Sequence, residues 1–211
     1  LTDEQFRDLK ENTRYFWRVR YRDIELNWSP WSDMASFTTG ESLLTANLLK
    51  NPGAEEETAG WSNEAGTITA MATRSEIHAR SGGWHFRLSE NVVTKDTIIA
   101  YQTVDLMEYK KDIAKGNLLL YYGGYLSGEY GKDEMTHQLF FLDKKGNILG
   151  STTPFSTIRS SWDAFGDWVK IPPKTTSVKM VLTGVNLEED ECNCYADDLF
   201  IRLGRERVEC R

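Results

Sequence analysis

Proline is scarce in this chain, with five residues in 211, which argues against long proline-rich linkers. Positive charge is also short. The 25 Lys and Arg stand against 32 Asp and Glu, for a formal net charge of −7. A phosphate-binding surface needs a basic field, so no nucleic-acid partner is expected. The acidic balance does tolerate a bound cation. No apolar run reaches the ~20 residues that span a bilayer, so no membrane insertion is expected. A basic-then-apolar leader is missing too. The chain opens on a charged stretch without Met and reads as an excised piece of something longer, so this absence does not fix a compartment.

Cysteine is limited to Cys192, Cys194 and Cys210. Residues two apart on a strand point the same way but are poorly placed to bond each other. One bridge from Cys210 to either partner and three free thiols both remain open. The second ligand pair that a zinc site would need is missing. Catalytic signatures are lacking as well: no Gly-x-Ser-x-Gly, phosphate loop or His-Glu-x-x-His occurs. The acidic runs Glu55-Glu56-Glu57 and Glu188-Glu189-Asp190-Glu191 are contiguous and loop-like, whereas glycoside hydrolysis needs two carboxylates across a cleft. No enzymatic activity is expected.

Aromatic residues are plentiful, with seven Trp, nine Tyr and nine Phe. They suit strands and flat binding surfaces. From 14 to 22, Tyr15, Trp17, Val19 and Tyr21 alternate with Phe16, Arg18, Arg20 and Arg22, which is the period of a half-buried strand. A short strand from Met34 to Thr39 follows. Between them, Trp28-Ser29-Pro30-Trp31-Ser32 places two indoles within reach of the arginine row. A cation–π ladder of Arg18, Arg20, Arg22, Trp28 and Trp31 is expected as a structural device.

From about Asn47, candidate strands recur at 67–73, 83–89, 97–104, 117–126, 136–143, 147–151, 167–171, 176–183 and 194–203. Turn chemistry at 81–83, 144–147 and 172–174 separates them. Many short strands with frequent turns argue an all-β antiparallel sandwich or jelly roll. A helical turn is allowed between Asp105 and Ala114. Trp61, Trp84, Trp168 and Tyr122 are expected in the core, and His85 and His137 as outward strand residues.

Residues 5–40 resemble the closing part of a fibronectin type III domain, through Leu9, Thr13, Tyr15, Trp17, Val19, the Trp28–Ser32 run and Ala35–Thr39. The Trp-Ser-x-Trp-Ser pattern is similar to that of cytokine-receptor modules. The domain limits expected are therefore 1–41 for this partial sandwich, 44–204 for the second unit and 205–211 for a tail. Two closing strands alone cannot complete a sandwich.

The second unit resembles the galactose-binding-like β-sandwich of carbohydrate-binding modules. Carriers are Asn47-Leu48-Leu49, Asn51-Pro52-Gly53-Ala54-Glu55, Gly60-Trp61, Ser81–Phe86, Tyr101–Leu106, Gly124–Gly128, Leu139–Asp143 and Tyr195–Phe200. The opening run and Gly124–Gly128 are also similar to the sugar-recognising domain of glycoprotein-binding F-box proteins, which lacks the Asp197-Asp198 pair. The resemblance implies a structural calcium ion held by Glu55 and Asp197, with carbonyls near Gly53 and Ser81 completing the shell. Strand parity groups Asp197 with Tyr195, Leu199, Ile201 and Leu203, which points it inward. A buried carboxylate needs a partner, although a turn cap or an Arg would serve as well.

The resemblance further implies a glycan or polysaccharide partner, an extracellular or secreted location, and neighbouring domains in a larger protein. The aromatic candidates for the sugar are Tyr121, Tyr125, Tyr130 and Trp162, with Gln138, His137 and Arg87 as polar contacts. A module with the same fold and a purely structural or protein-binding role is the alternative.

Overall fold

The alternation at 14–22 becomes a strand only over part of its length. The computed structural model describes residues 13–21, 27–38, 45–73, 78–89, 97–128, 132–187 and 192–205, and the chain divides into two units, Leu1–Leu43 and Leu44–Arg211. In the first unit, β1 (Arg14–Trp17) pairs antiparallel with β2 (Ala35–Thr38). Tyr15 lies opposite Phe37, with the rings stacked at 5.8 Å.

Beyond Trp17 the ladder continues through serine hydroxyls. The Val19 and Tyr21 N–H groups donate to Ser32 Oγ at 3.0 Å and Ser29 Oγ at 3.1 Å. The Ser32 and Ser29 N–H groups donate back to the Val19 and Tyr21 carbonyls. This clamp sets the arginines against the indoles. Arg18 lies 4.4 Å from the Trp31 ring, and Arg20 lies 4.0 Å from Trp28 and 4.4 Å from Trp31. Arg22 falls outside the described residues.

The second unit contains β3 (Ser62–Ala65), β4 (Thr67–Ala72), β5 (Trp84–Ser89), β6 (Thr97–Asp105), β7 (Leu118–Ser127), β8 (Asp133–Leu142), β9 (Ile148–Ser151), β10 (Phe155–Thr157), β11 (Asp163–Lys170), β12 (Ser177–Asn186) and β13 (Cys194–Arg205). A single 3-10 turn and helix α1 (Lys110–Lys115) join β6 to β7, and Gly116 ends the helix at φ 72°. One sheet runs β10-β8-β12-β6-β3 with β9 also on β8, and the other runs β11-β7-β13-β5-β4. All described pairings are antiparallel. The fold is thus an antiparallel β-sandwich.

β8 and β12 bury every second residue, as strands between a core and solvent must. Met180, Leu182, Leu139 and Phe141 from one sheet pack with Phe86, Leu88, Leu120 and Ile201 from the other. Two strands arise where no alternation marks them. Ser62–Ala65 and Phe155–Thr157 are short edge strands, and an edge strand carries little core-facing pattern to read.

Two tryptophans expected in the core stand outside it. Trp84 is 40 % exposed at the start of β5, and Trp168 is 53 % exposed on edge strand β11. Trp61 and Tyr122 are buried. The histidines also depart from expectation. His137 shares its face of β8 with Met135 and Leu139 and is fully buried in the core, its ring 5.5 Å from Tyr122 and 4.5 Å from Phe165. His85 does alternate away from Phe86, yet it is buried beneath Trp162 and Tyr195, at 5.8 and 5.5 Å. Cys192 and Cys194 are buried free thiols, and Cys210 lies outside the described residues.

Neither ring nitrogen of His137 has a hydrogen-bond partner, and burial lowers its pKa from 6.5 to about 3. The unfolded chain therefore takes up a proton that the folded chain refuses. The contribution of His137 to stability is full above pH 6.5 and falls on acidification toward pH 3, by roughly 1.4 kcal/mol per pH unit. Replacing His137 with Phe, which keeps an aromatic ring in the stack, is expected to remove the contribution of this one group, so that urea melts of variant and wild type diverge progressively, in the variant's favour, as pH falls from 7.5 to 4.5.

Candidate functional site

Strand β13 carries an irregularity on which the site depends. Cys194 and Ala196 pair with Leu88 and Phe86 and face the core, as do Leu199, Ile201 and Leu203. Leu199 is three positions after Ala196, an odd step, so the strand changes parity between them. The register shifts between Asp197 and Phe200, with Asp198 at φ 50°. A β-bulge of this kind re-aims side chains. It overturns the grouping expected of Asp197 with Leu199, Ile201 and Leu203: Asp197 keeps the side of Tyr195 and is buried away from the hydrophobic core.

Asp197 is held by backbone N–H groups. Its Oδ2 accepts from Arg80 at 2.6 Å and Ser81 at 3.3 Å, and its Oδ1 accepts from Asp198 at 2.7 Å. Ser81 Oγ donates to Asp198 at 2.5 Å. Glu55 binds the next stretch of the same turn, its Oε1 accepting from Gly83 at 2.9 Å and Trp84 at 3.0 Å. Gly53 lies so close that a Cβ there would stand 3.0 Å from Asp197 Oδ1. The 80–84 turn therefore gathers both acidic residues, Gly53 and Ser81. Burial pushes the Asp197 carboxyl up to about 7, and the negative charge of Asp198 adds to the rise.

The donors are hard oxygens, and among the described residues no Lys or Arg side chain is hydrogen-bonded or ion-paired to Glu55 or Asp197. That chemistry fits a hard divalent cation. Among the described residues no cluster of three or more His, Cys, Asp or Glu side chains forms, so such an ion would draw its remaining ligands from carbonyls and water.

A second feature is the outward face of β11, β7 and β13. Three rows cross it: Trp168–Tyr121–Arg202, Gly166–Gly123–Phe200 and Ala164–Tyr125–Asp197. Gly123 in the middle row has no room for a side chain because Phe200 lies across it. A Cβ on Gly123 would meet the Phe200 ring at 2.7 Å and the Phe165 carbonyl at 2.5 Å. Tyr121, Tyr125 and Phe200 are half-buried around an exposed Trp168. Arg80 stacks on Tyr125 at 4.6 Å and donates to its hydroxyl at 3.3 Å, so one residue joins the carboxylate turn to the aromatic face.

Of the sugar-contact candidates, Tyr121 and Tyr125 share this face, two rows apart. Trp162 is half-buried over His85, and its indole N–H donates to the His78 carbonyl at 2.8 Å. Tyr130 lies outside the described residues. Among the polar candidates, Gln138 donates to the Thr152 carbonyl, Arg87 reaches Asn193 and the Cys192 carbonyl, and His137 is inside the core. Phe200, Arg202, Trp168 and Arg80 complete the face and were not singled out for it from sequence. Trp168 does share parity with Gly166 and Ala164, a pattern with no core-forming character.

Gly82 tests the turn directly. It adopts φ 65°, and a Cβ there would fall 2.1 Å from Glu55 Oε1. Gly82→Ala is expected to displace Glu55 and to lower stability by roughly 1–3 kcal/mol, the range for strained backbone sites, measured as a drop in the thermal midpoint.

Residues 1–42 match a family model described as the Rha78A-like N-terminal immunoglobulin domain; immunoglobulin and fibronectin type III domains share a sandwich architecture. No curated protein matches the chain. Among solved structures, the enzymatically active domain of bacteriophage CBA120 tailspike protein 4 aligns at TM-score 0.55 and 14 % identity, over 76 % of this chain and 21 % of that one. This chain thus spans about a fifth of that protein. The C-terminal family 22 carbohydrate-binding module of Clostridium thermocellum Xyn10B aligns at 0.50 and 14 %, over 79 % and 99 %. The Xyn10B N-terminal module with its xylanase, complexed with xylohexaose, aligns at 0.50 and 12 %, over 79 % and 30 %. The second unit of this chain has the β-sandwich fold of carbohydrate-binding modules.

Proposed function

We propose that this chain is part of a larger secreted or cell-surface protein, in which its second unit is a non-catalytic carbohydrate-binding module. The observation that carries the reading is the outward face of β7, β11 and β13. It sets Trp168, Tyr121, Phe200 and Tyr125 on three hydrogen-bonded strands. Flat aromatic rings stack on the C–H faces of sugar rings, and flanking polar groups read the hydroxyls. Arg202 and Arg80 supply donors on either side of the glycine row. Building the platform on strands fixes its geometry, so little order is lost when a sugar settles on it. The family 22 modules of similar fold are carbohydrate-binding by their description, one of them with xylohexaose, which is consistent with this use.

Hydrolysis finds little support. The cleft beside β10 and β11, of about 420 Å³, contains one carboxylate among its described lining residues, Asp163. That group is tied to Thr157 and Arg159, whereas a glycosidase holds two carboxylates ~5–10 Å apart across its substrate.

The reading extends to a structural calcium ion between Glu55 and Asp197. These residues would hold it, and its charge would offset the cost of burying Asp197. The ion would lock the 80–84 turn onto the opening run of the unit.

Two outcomes are expected. Affinity electrophoresis through a panel of neutral polysaccharides should retard the chain in at least one gel. Trp168→Ala and Tyr121→Ala should each abolish most of that retardation with the melting curve unchanged, and failure of every glycan to retard the wild type would overturn the reading. Removing calcium with a chelator should lower the thermal midpoint by several degrees, and Asp197→Asn should no longer respond. Identical wild-type melts with and without chelator would discard the ion.

A further inference from the structure

The protein carries a net charge of −7, yet one cleft concentrates the opposite sign. It opens between α1, the turn joining β8 to β9, and the connection from β11 to β12, with a volume of about 420 Å³. Ala114 and Pro173 give it apolar surface over the buried Ile113, and Lys110, Lys144 and Lys174 stand around it. Among the described residues none of these three lysines makes an ion pair. The other lining charge, Asp143, is turned into its own loop. Its Oδ1 accepts from the Lys145 and Asn147 N–H groups at 2.8 and 2.9 Å, and its Oδ2 accepts from the Asn147 side-chain amide at 2.9 Å. Lys174 is held at φ 72°, a left-handed conformation that is strained for a non-glycine residue.

We infer that this cleft is a second glycan site, selective for an acidic sugar, in which a uronate ring lies on Ala114 and Pro173 and its carboxylate meets the lysines. The inference rests on the carbohydrate-binding reading of the module, but the cleft shares no residue with the aromatic face. Three features argue for this occupant. The volume suits a small ligand of one or two rings. The combination of apolar lining and cationic rim matches a sugar that has a C–H face and one negative group. The acidic remainder of the surface does not forbid an anion, because at physiological salt charges beyond ~8 Å are largely screened, and within the cleft the three lysines outnumber Asp143.

The test is calorimetric titration of the full chain with digalacturonate and, as the neutral control, its methyl diester. The wild type is expected to bind the acid, to lose affinity as salt is raised and to bind the ester at least tenfold more weakly. A variant carrying Lys110→Gln, Lys144→Gln and Lys174→Gly is expected to lose at least tenfold in affinity for the acid. Gly at 174 accepts the positive φ, so this variant should melt no earlier than the wild type, and its retardation by neutral polysaccharides should be intact. Equal affinity for acid and ester, undiminished binding by the variant, or no binding of the acid would each overturn the inference. A wild type that binds neutral glycans through Trp168 but not the uronate would sink the cleft alone. A wild type that binds the uronate but no neutral glycan would sink the aromatic-face reading alone.

Discussion

The second unit is organised around a carboxylate placed where water cannot reach it. Asp197 is fully buried, and ionising such a group is costly unless something in the protein replaces its hydration. Here backbone N–H groups from Arg80, Ser81 and Asp198 do part of that work. Because those donors are peptide groups, the requirement falls on chain path more than on side chains. The 78–83 segment must fold over β13, Gly53 must approach without a Cβ, and Asp198 must adopt a left-handed conformation. Three remote stretches of sequence are thereby fixed together.

The same irregularity shapes the aromatic face. Ahead of the bulge, Tyr195 lies on the outward side; past it, Phe200 and Arg202 do. An uninterrupted strand would give Phe200 the parity of Ala196 and turn it toward the core. The bulge turns it outward, where it lies across Gly123. Glycine at 123 is therefore a packing requirement imposed by Phe200 and the Phe165 carbonyl. Arg80 closes the connection, bonding Asp197 through its main chain and Tyr125 through its guanidinium.

Regular alternation made much of the sandwich legible in the residues. β8 and β12 bury alternate positions without interruption, and segments with that property are hard to misassign. The carboxylate turn could be named in advance because the opening run and the last strand resemble a known sandwich. The direction of Asp197 was misread because period-2 counting assumes an unbroken strand and the bulge inserts an extra step. Trp168 and Trp84 were misplaced for a different reason. A large apolar residue is usually buried, and whether a strand lies at a sheet edge is decided by pairing partners distant in sequence. His137 was readable: it stands between Met135 and Leu139 on their own parity, and its chemical type outweighed its position. Ser62–Ala65 could not be read, since a polar four-residue edge strand exists only because β6 offers it a partner.

The residues entering this unit lie antiparallel to those leaving it. Thr45 and Leu48 donate to the Leu203 and Ile201 carbonyls, and Asn47 clips the Leu199 carbonyl and the Ile201 N–H. Entry and exit are thus at the same end of one short ladder. Force transmitted along the polypeptide would load these bonds one after another, as in an opening zipper, and not together in shear. The next contact inward is the Leu199 N–H on the Pro52 carbonyl, beside Gly53 and Asp197, so drawing the two ends apart would reach the carboxylate turn before it disturbed the sandwich interior.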